Sequence, residues 1–268
     1  MATTTTTMRV PHLGGITVGY RLSGDRYDKT KPTMLLVNPM CTTAALFDNM
    51  FTNKKLTDTM NLLAVEPLGH GATTSPTEHF TYWDSAIMTL QLMDNLGINN
   101  AFASGASQGA WIVVRMALLA PDKVRTSMDS ESEESRKTGA WDPHQLLSPL
   151  IEEWSSATPT PGFIIGDDLC EMVHDFGFAK SLTQEQETFW TSILKSVYKG
   201  DEGRKKLRGA LICLLERDSL HLRLRDMKCP VHWLQVGILE IQYQRELTKK
   251  SLIYTGKSRQ ALPTCSGK

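Results

Sequence analysis

An excess of either charge is absent: Lys+Arg and Asp+Glu both number 29, so the formal net charge is zero. Without a basic field nothing holds a phosphate backbone or an anionic bilayer, and nucleic acid is excluded as a partner. Metal-ligand spacing is absent as well. The five cysteines, Cys41, Cys170, Cys213, Cys229 and Cys265, are scattered, odd in number and free of C-x-x-C or Cys/His patterns. They read as buried thiols in a reducing compartment, with neither metal nor cofactor expected. No apolar run approaches a membrane span, and "MATTTTTMRV" has neither a basic nor an apolar leader region. The chain therefore reads as intracellular, its threonine run a disordered tail and its fold starting near Met8. A last absence is chemical: no histidine follows His232.

What is present is strand and helix in alternation. "GITVGYRLSG" alternates apolar and polar residues and ends at Gly24, which predicts a half-buried hairpin strand at the antiparallel edge of a sheet. "TMLLVNP" and "NLLAVEP" are nearly continuous apolar runs closed by prolines, the pattern of parallel strands buried on both faces. "WDSAIMTLQLMDNLGI" sets Ile87, Leu90, Met93 or Asp94 and Gly97 at helical spacing and leads into "NAFASGAS" as the next strand. From about Ser130 to Asp226 the texture turns helical, and "CPVHWLQV" then returns as an apolar strand. A chain of 268 residues suits one α/β domain with an inserted lid. The division is a mostly parallel core at 8–129, a helical cap at 130–226, and the rest of the core with an atypical tail at 227–268.

"NAFASGASQGAWIVVRMALLAPDKV" carries the chemistry. Gly105 and Gly109 flank Ser107 where a strand must reverse sharply into a helix, a turn that tolerates only small neighbours. A lone G-x-S-x-G is common, but strand, elbow and helix occur here in the required order. Ser107 is thus the candidate nucleophile, against the plainer reading of a strand–helix turn serine. The helix opening at Gln108 aims free N–H groups at the same spot, so the Gln108 amide is one candidate oxyanion donor. The second should come from "NPMC" after the earlier strand; Pro39 has no N–H, which leaves Met40, or else a plain strand exit. In "EPLGHGATTS", His70 is either a structural turn residue or the general base.

With those motifs in succession the chain resembles the α/β-hydrolase superfamily. The strings "SQGAWIVVRMALLAPDKV", "TSMDSESEESRKTGAWDP" and "LLERDSLHLRLRDMKCPVHWL" are similar to hydrolases of fungal secondary-metabolite clusters, including host-selective toxin clusters. The resemblance spans about Gly15 to Leu234. It implies a serine hydrolase acting on an ester, thioester or lactone of a polyketide-like acid, a small hydrophobic acyl substrate. It also implies a peroxisomal address, although Ser266-Gly267-Lys268 ends on a basic residue where that signal needs an apolar one.

Two departures qualify what the resemblance implies. The family places a further buried strand after the helix that ends at "APDKV"; here Arg125 to Asp129 follow at once, so one central strand is expected to be missing. The family also expects an acid just after "CPVHWL" and a histidine on a late loop. Only Glu240 stands near the acid position, with Asp129 as the alternative or as a solvated loop carboxylate. His144 and His174 lie in the cap, His221 just before the last strand and His232 inside it. A serine hydroxyl needs a base at neutral pH. The competing reading is therefore a catalytically impaired relative, from a decayed or frameshifted gene, that at most binds a hydrophobic small molecule.

Overall fold

The computed structural model describes residues 5–24, 26–129, 143–178, 181–220, 223–229 and 231–234. A hairpin opens the chain, β1 (Thr6–Val10) pairing antiparallel with β2 (Ile16–Leu22). Thr6 and Thr7 sit opposite Tyr20 and Gly19, so the end of the threonine run belongs to the sheet. β-branched residues suit a strand better than a solvated tail does. The expected edge strand also shifts by one place: β1 is the outer strand, and β2 lies between it and β4.

β3 (Thr33–Val37) and β4 (Asn61–Val65) are the two continuous apolar runs, parallel and almost wholly buried. Two short helices, α1 (Asp48–Thr52) and α2 (Lys54–Thr59), connect them, and Phe47, Met50 and Phe51 pack beside Leu36 and Ala64. α3 (Tyr82–Asn95) starts on a capping box in which Thr81 and Asp84 satisfy each other's backbone N–H. Its buried face includes Tyr82, Ala86, Met88, Leu92 and Met93; of the expected positions Met93 is buried, Leu90 packs half-buried against the core and Ile87 is half-buried.

β5 (Ala101–Ala106) and α4 (Gln108–Leu119) follow, and α4 is buried on nearly every side before Pro121 closes it. The seven-stranded order is β1-β2-β4-β3-β5-β6-β7, parallel from β4 onward. β6 is Val124–Asp129, paired with β5 on one side and with β7 (Val231–Leu234) on the other. The missing central strand is therefore a misreading. "VRTSMD" holds only two apolar residues, Val124 and Met128, so it lacks the continuous apolar run expected of a central strand. The sheet loses no rung there.

Among the described residues the cap consists of α5 (Pro143–Glu153), α6 (Asp167–Phe178), α7 (Gln184–Val197) and α8 (Gly200–Leu215). Its apolar interior, with Trp154, Leu169, Leu194 and Leu211, runs on to Cys41 and Met40 of the core. Buried Arg204 donates to the Trp154 carbonyl, to Thr160 Oγ1 (2.6 Å) and to Asp201 (3.0 Å), which ties the α5–α6 connection to α8. Beyond α8, Asp218 pairs with the fully buried Arg115 of α4 and accepts from Trp83 Nε1 (3.0 Å). No helix among the described residues is long and apolar enough to cross a membrane.

Candidate active site

The carboxyl ends of the parallel strands lie in register. Val65 is opposite Val37, Val37 opposite Gly105, Ala106 opposite Asp129, and Asp129 opposite Leu234. Between β3 and β5 the winding of the sheet reverses, and crevices at such reversals are where open α/β sheets bind ligands. The two segments leaving that crevice are Asn38-Pro39-Met40 and Ser107-Gln108.

Ser107 has φ 49° and ψ −120°, a region that L-residues avoid, and its side chain is exposed. The flanking glycines make this possible. A Cβ on Gly105 would lie 2.2 Å from the backbone carbon of Gly109, and one on Gly109 would lie 2.2 Å from the Val37 carbonyl oxygen. Helix α4 thus presses against β3 and β5 at closer than side-chain distance. Its first N–H groups, Gln108's among them, have no acceptor inside the helix and open at the serine.

The segment after β3 is a tight turn. The Pro39 carbonyl accepts from Thr42 Oγ1 (2.8 Å), Asn38 Nδ2 (3.2 Å) and Thr42 N (3.3 Å), and Cys41 takes a left-handed φ of 57°. Met40 lies within it, half-buried, with its side chain against the apolar interior of the cap. Glu66, at the end of β4, ties this turn to the next loop: its buried carboxylate accepts from Ala44 N (3.0 Å) and Ala72 N (2.7 Å). A carboxylate directly after a buried strand, as in "NLLAVEP", was the sequence signal for this staple.

His70 is 1% exposed, and both ring nitrogens are engaged. Nδ1 lies 3.0 Å from the Leu68 carbonyl, which can only accept, so Nδ1 carries the proton. Nε2 is therefore the acceptor for the Gln108 side-chain amide at 2.9 Å. Desolvation, chiefly, pushes the ring down to about 4 and keeps it neutral. Both ring nitrogens of His70 are thus taken by partners other than the Ser107 hydroxyl.

Asp129 ends β6 one register step from the serine strand, and its side chain, like that of His232 in β7, lies outside what is described. Glu240 and His221 fall outside the described residues altogether. His144 is exposed on α5, and His174 on α6 faces Thr191 Oγ1 at 3.5 Å. The described residues include no cluster of three metal-ligating side chains. Sequence reasoning passed over Tyr198. It is fully buried at the end of α7, and its hydroxyl donates to the Gly69 carbonyl (3.2 Å).

Residues 32–150 match the family model described as alpha/beta hydrolase fold. No curated protein matches the chain in sequence. Among solved structures, a hydrolase from Pseudomonas aeruginosa PA01 superposes with a TM-score of 0.66 at 16% identity, over 94% of this chain and 98% of that one. A thermophilic esterase from Thermogutta terrifontis gives 0.62 at 15%, over 86% and 79%. The enol-lactonase from Burkholderia xenovorans LB400 gives 0.56 at 16%, over 93% and 100%. The fold of this chain is the α/β-hydrolase fold.

Proposed function

We propose that this α/β-hydrolase fold serves a serine hydrolase acting on an ester, thioester or lactone of a small apolar acid. The observation that carries the reading is Ser107 itself: a solvent-facing hydroxyl held in a strained backbone between two glycines that no larger residue can replace. Such strain persists only where the surroundings over-determine it, and it raises the hydroxyl above the sheet edge. Ser107 Oγ attacks the carbonyl carbon, and the N–H groups of Met40 and Gln108 stabilise the oxyanion that forms. The alcohol or thiol then leaves carrying the proton that the Ser107 hydroxyl gave up, and water adds to the acyl-enzyme, its proton returning to Ser107 Oγ as the acid is released. The apolar cap interior that reaches Met40 favours an apolar acyl group. Asp129, at the end of β6, is the acid favoured by register; Glu240 is the alternative. His70 holds Gln108 in place and, with both nitrogens occupied, is not the base in this arrangement.

The finer reading, a polyketide-like substrate in a fungal secondary-metabolite or toxin cluster with a peroxisomal location, rests on the resemblance of the three long strings alone. A second reading has its own support: no histidine follows His232 in the sequence, and the ring nitrogens of His70 bond to Leu68 and Gln108 while His174 faces Thr191. It makes the chain a catalytically impaired relative that retains the elbow.

Labelling with a fluorophosphonate tests both. Slow labelling that Ser107→Ala abolishes is expected, since an oxyanion hole without a base still leaves roughly 10³-fold catalysis over water. Rapid stoichiometric labelling would show that a base is supplied after all and sink the second reading. Equal labelling of wild type and Ser107→Ala would sink the first.

A further inference from the structure

Two buried charges of opposite sign meet at one residue, Ala44, four places after Met40. Arg21 belongs to β2 and Glu66 follows β4. Glu66 Oε1 accepts from Ala44 N at 3.0 Å, and Arg21 Nη1 donates to the Ala44 carbonyl at 3.1 Å. A single residue is therefore held by its N–H and by its carbonyl, each time by a charge. The other carboxylate oxygen, Glu66 Oε2, accepts from Ala72 N at 2.7 Å, two residues past His70.

Both charges are themselves fixed. A Cβ on Gly19 would stand 2.5 Å from Glu66 Oε2, and one on Gly71 would stand 2.2 Å from the carboxyl carbon, so the two glycines form a socket that leaves the carboxylate no room to swing. Arg21 also pairs with Asp48 and lies over the Phe51 ring at 4.9 Å, while its Nε and Nη2 find no partner among the described residues. A buried ion pair is often no better for stability than an apolar residue of the same volume, so the charge at position 21 is explained by what it holds. What it holds is the exit of the Met40 turn. Asn38 Nδ2 and Thr42 Oγ1 close that turn on itself, which keeps its shape; its direction is set where it joins the fold, at β3 and at Ala44. Hydrogen bonds to charged groups are roughly twice as strong as neutral ones. We propose that Glu66 and Arg21 are positioning residues that aim the Met40 N–H at the Ser107 oxyanion by clamping Ala44. The catalytic consequence rests on the serine-hydrolase reading; the clamp itself stands on the hydrogen bonds.

The test uses the full chain and combines amide hydrogen exchange by mass spectrometry, kinetics with p-nitrophenyl acetate and fluorophosphonate labelling. Arg21→Met removes one arm and leaves an apolar side chain in its place. Exchange should quicken in 39–46 and stay unchanged in 69–73. Glu66→Met removes the acceptor of Ala44 N and that of Ala72 N, so exchange should quicken in both segments. Because an oxyanion contact exists only in the transition state, kcat should fall at constant KM, about threefold in Arg21→Met and about tenfold in Glu66→Met. Both are less than the roughly 10²–10³ that outright loss of a donor costs. Arg21→Lys returns a charged donor and should recover most of the loss. That pair at position 21 carries the test if Glu66→Met does not fold.

Unchanged exchange at 39–46 in Arg21→Met would overturn the clamp. Quickened exchange there with wild-type kcat and labelling rate would overturn the positioning role and leave packing alone, and so would a loss that appears in KM instead of kcat. A wild type that never labels at Ser107 instead overturns the serine-hydrolase reading with the catalytic half of this one, and exchange at 39–46 still decides the clamp.

Discussion

The elbow at Ser107 and the cap above it are held by different physics. At the elbow the constraint is steric and local: β5, Ser107 and α4 are consecutive in the chain, and the backbone of β3 leaves no room for a Cβ at Gly109. The cap is held by side-chain bonds across long sequence separations, Tyr198 to Gly69, Lys206 to Gly71 (2.8 Å) and Arg115 to Asp218. A steric constraint is all or none, whereas a set of hydrogen bonds yields one member at a time. The site therefore has a rigid floor and a roof whose attachment is graded.

The largest expected effect tests that contrast with one substitution made in two helices. Gly109→Ala in α4 puts a methyl 2.2 Å from the Val37 oxygen and 2.8 Å from its carbon, both backbone atoms that cannot step aside without moving β3. A loss of about 3 kcal/mol or more is expected, seen as a fall in the urea midpoint or as failure to fold. Gly177→Ala in α6 meets nothing within 4 Å and should gain up to about 1 kcal/mol from helix propensity. Two changes of the same sign and size would show that the elbow gives way as readily as the cap.

The same contrast explains what the sequence made legible. Strand, glycine, serine, glycine and helix form a local pattern, so Ser107 and the parallel order of β3, β4 and β5 could be read directly. The places of Met40 after β3 and of Gln108 at the start of α4 were legible in the same way. Tyr198 and the Asp218 clamp join residues far apart in the chain, and no periodicity announces such pairs. β6 was lost for another reason. With Val124 and Met128 its only apolar residues, "VRTSMD" lacks the continuous apolar run by which a central strand is recognised. The expectation of a missing central strand falls, because β6 pairs on both sides.

The next effect in size belongs to the floor and depends on pH. The folded His70 ring sits near 4 against an ordinary 6.5, with burial as the leading cause. Below 6.5 the unfolded chain takes up a proton that the folded chain refuses, so this contribution is complete above about pH 6.5 and is lost as pH falls towards 4. The full span is on the order of 3 kcal/mol, with about 2 kcal/mol gone by pH 5. Protonation would also turn the Nε2 acceptor into a donor facing the Gln108 amide. Urea midpoints at pH 7 and pH 5 check this; His70→Gln should flatten the difference, and a wild type equally stable at both would refute the burial argument.

The smallest effect sharpens the comparison most, because floor and roof carry the same local device. Thr81 begins α3 and Thr183 begins α7, each in a capping box: Thr81 N to Asp84 Oδ2 at 2.7 Å, Thr183 N to Gln186 Oε1 at 2.8 Å. Either threonine changed to alanine removes one acceptor for an orphan N–H, at about 1 kcal/mol. The surroundings differ. Asp84 is half-buried and also accepts from His12 Nε2 at 2.8 Å, which links the start of α3 to the β1–β2 connection, whereas Gln186 at the start of α7 is exposed. If the roof opens separately from the floor, Thr81→Ala should lower the global unfolding midpoint, while Thr183→Ala should quicken exchange in 184–197 and leave that midpoint in place. Equal shifts of the midpoint in both variants would mean that the cap unfolds only with the core. In that case the long-range bonds from Tyr198, Lys206 and Asp218 act together as firmly as the steric lock at Gly109.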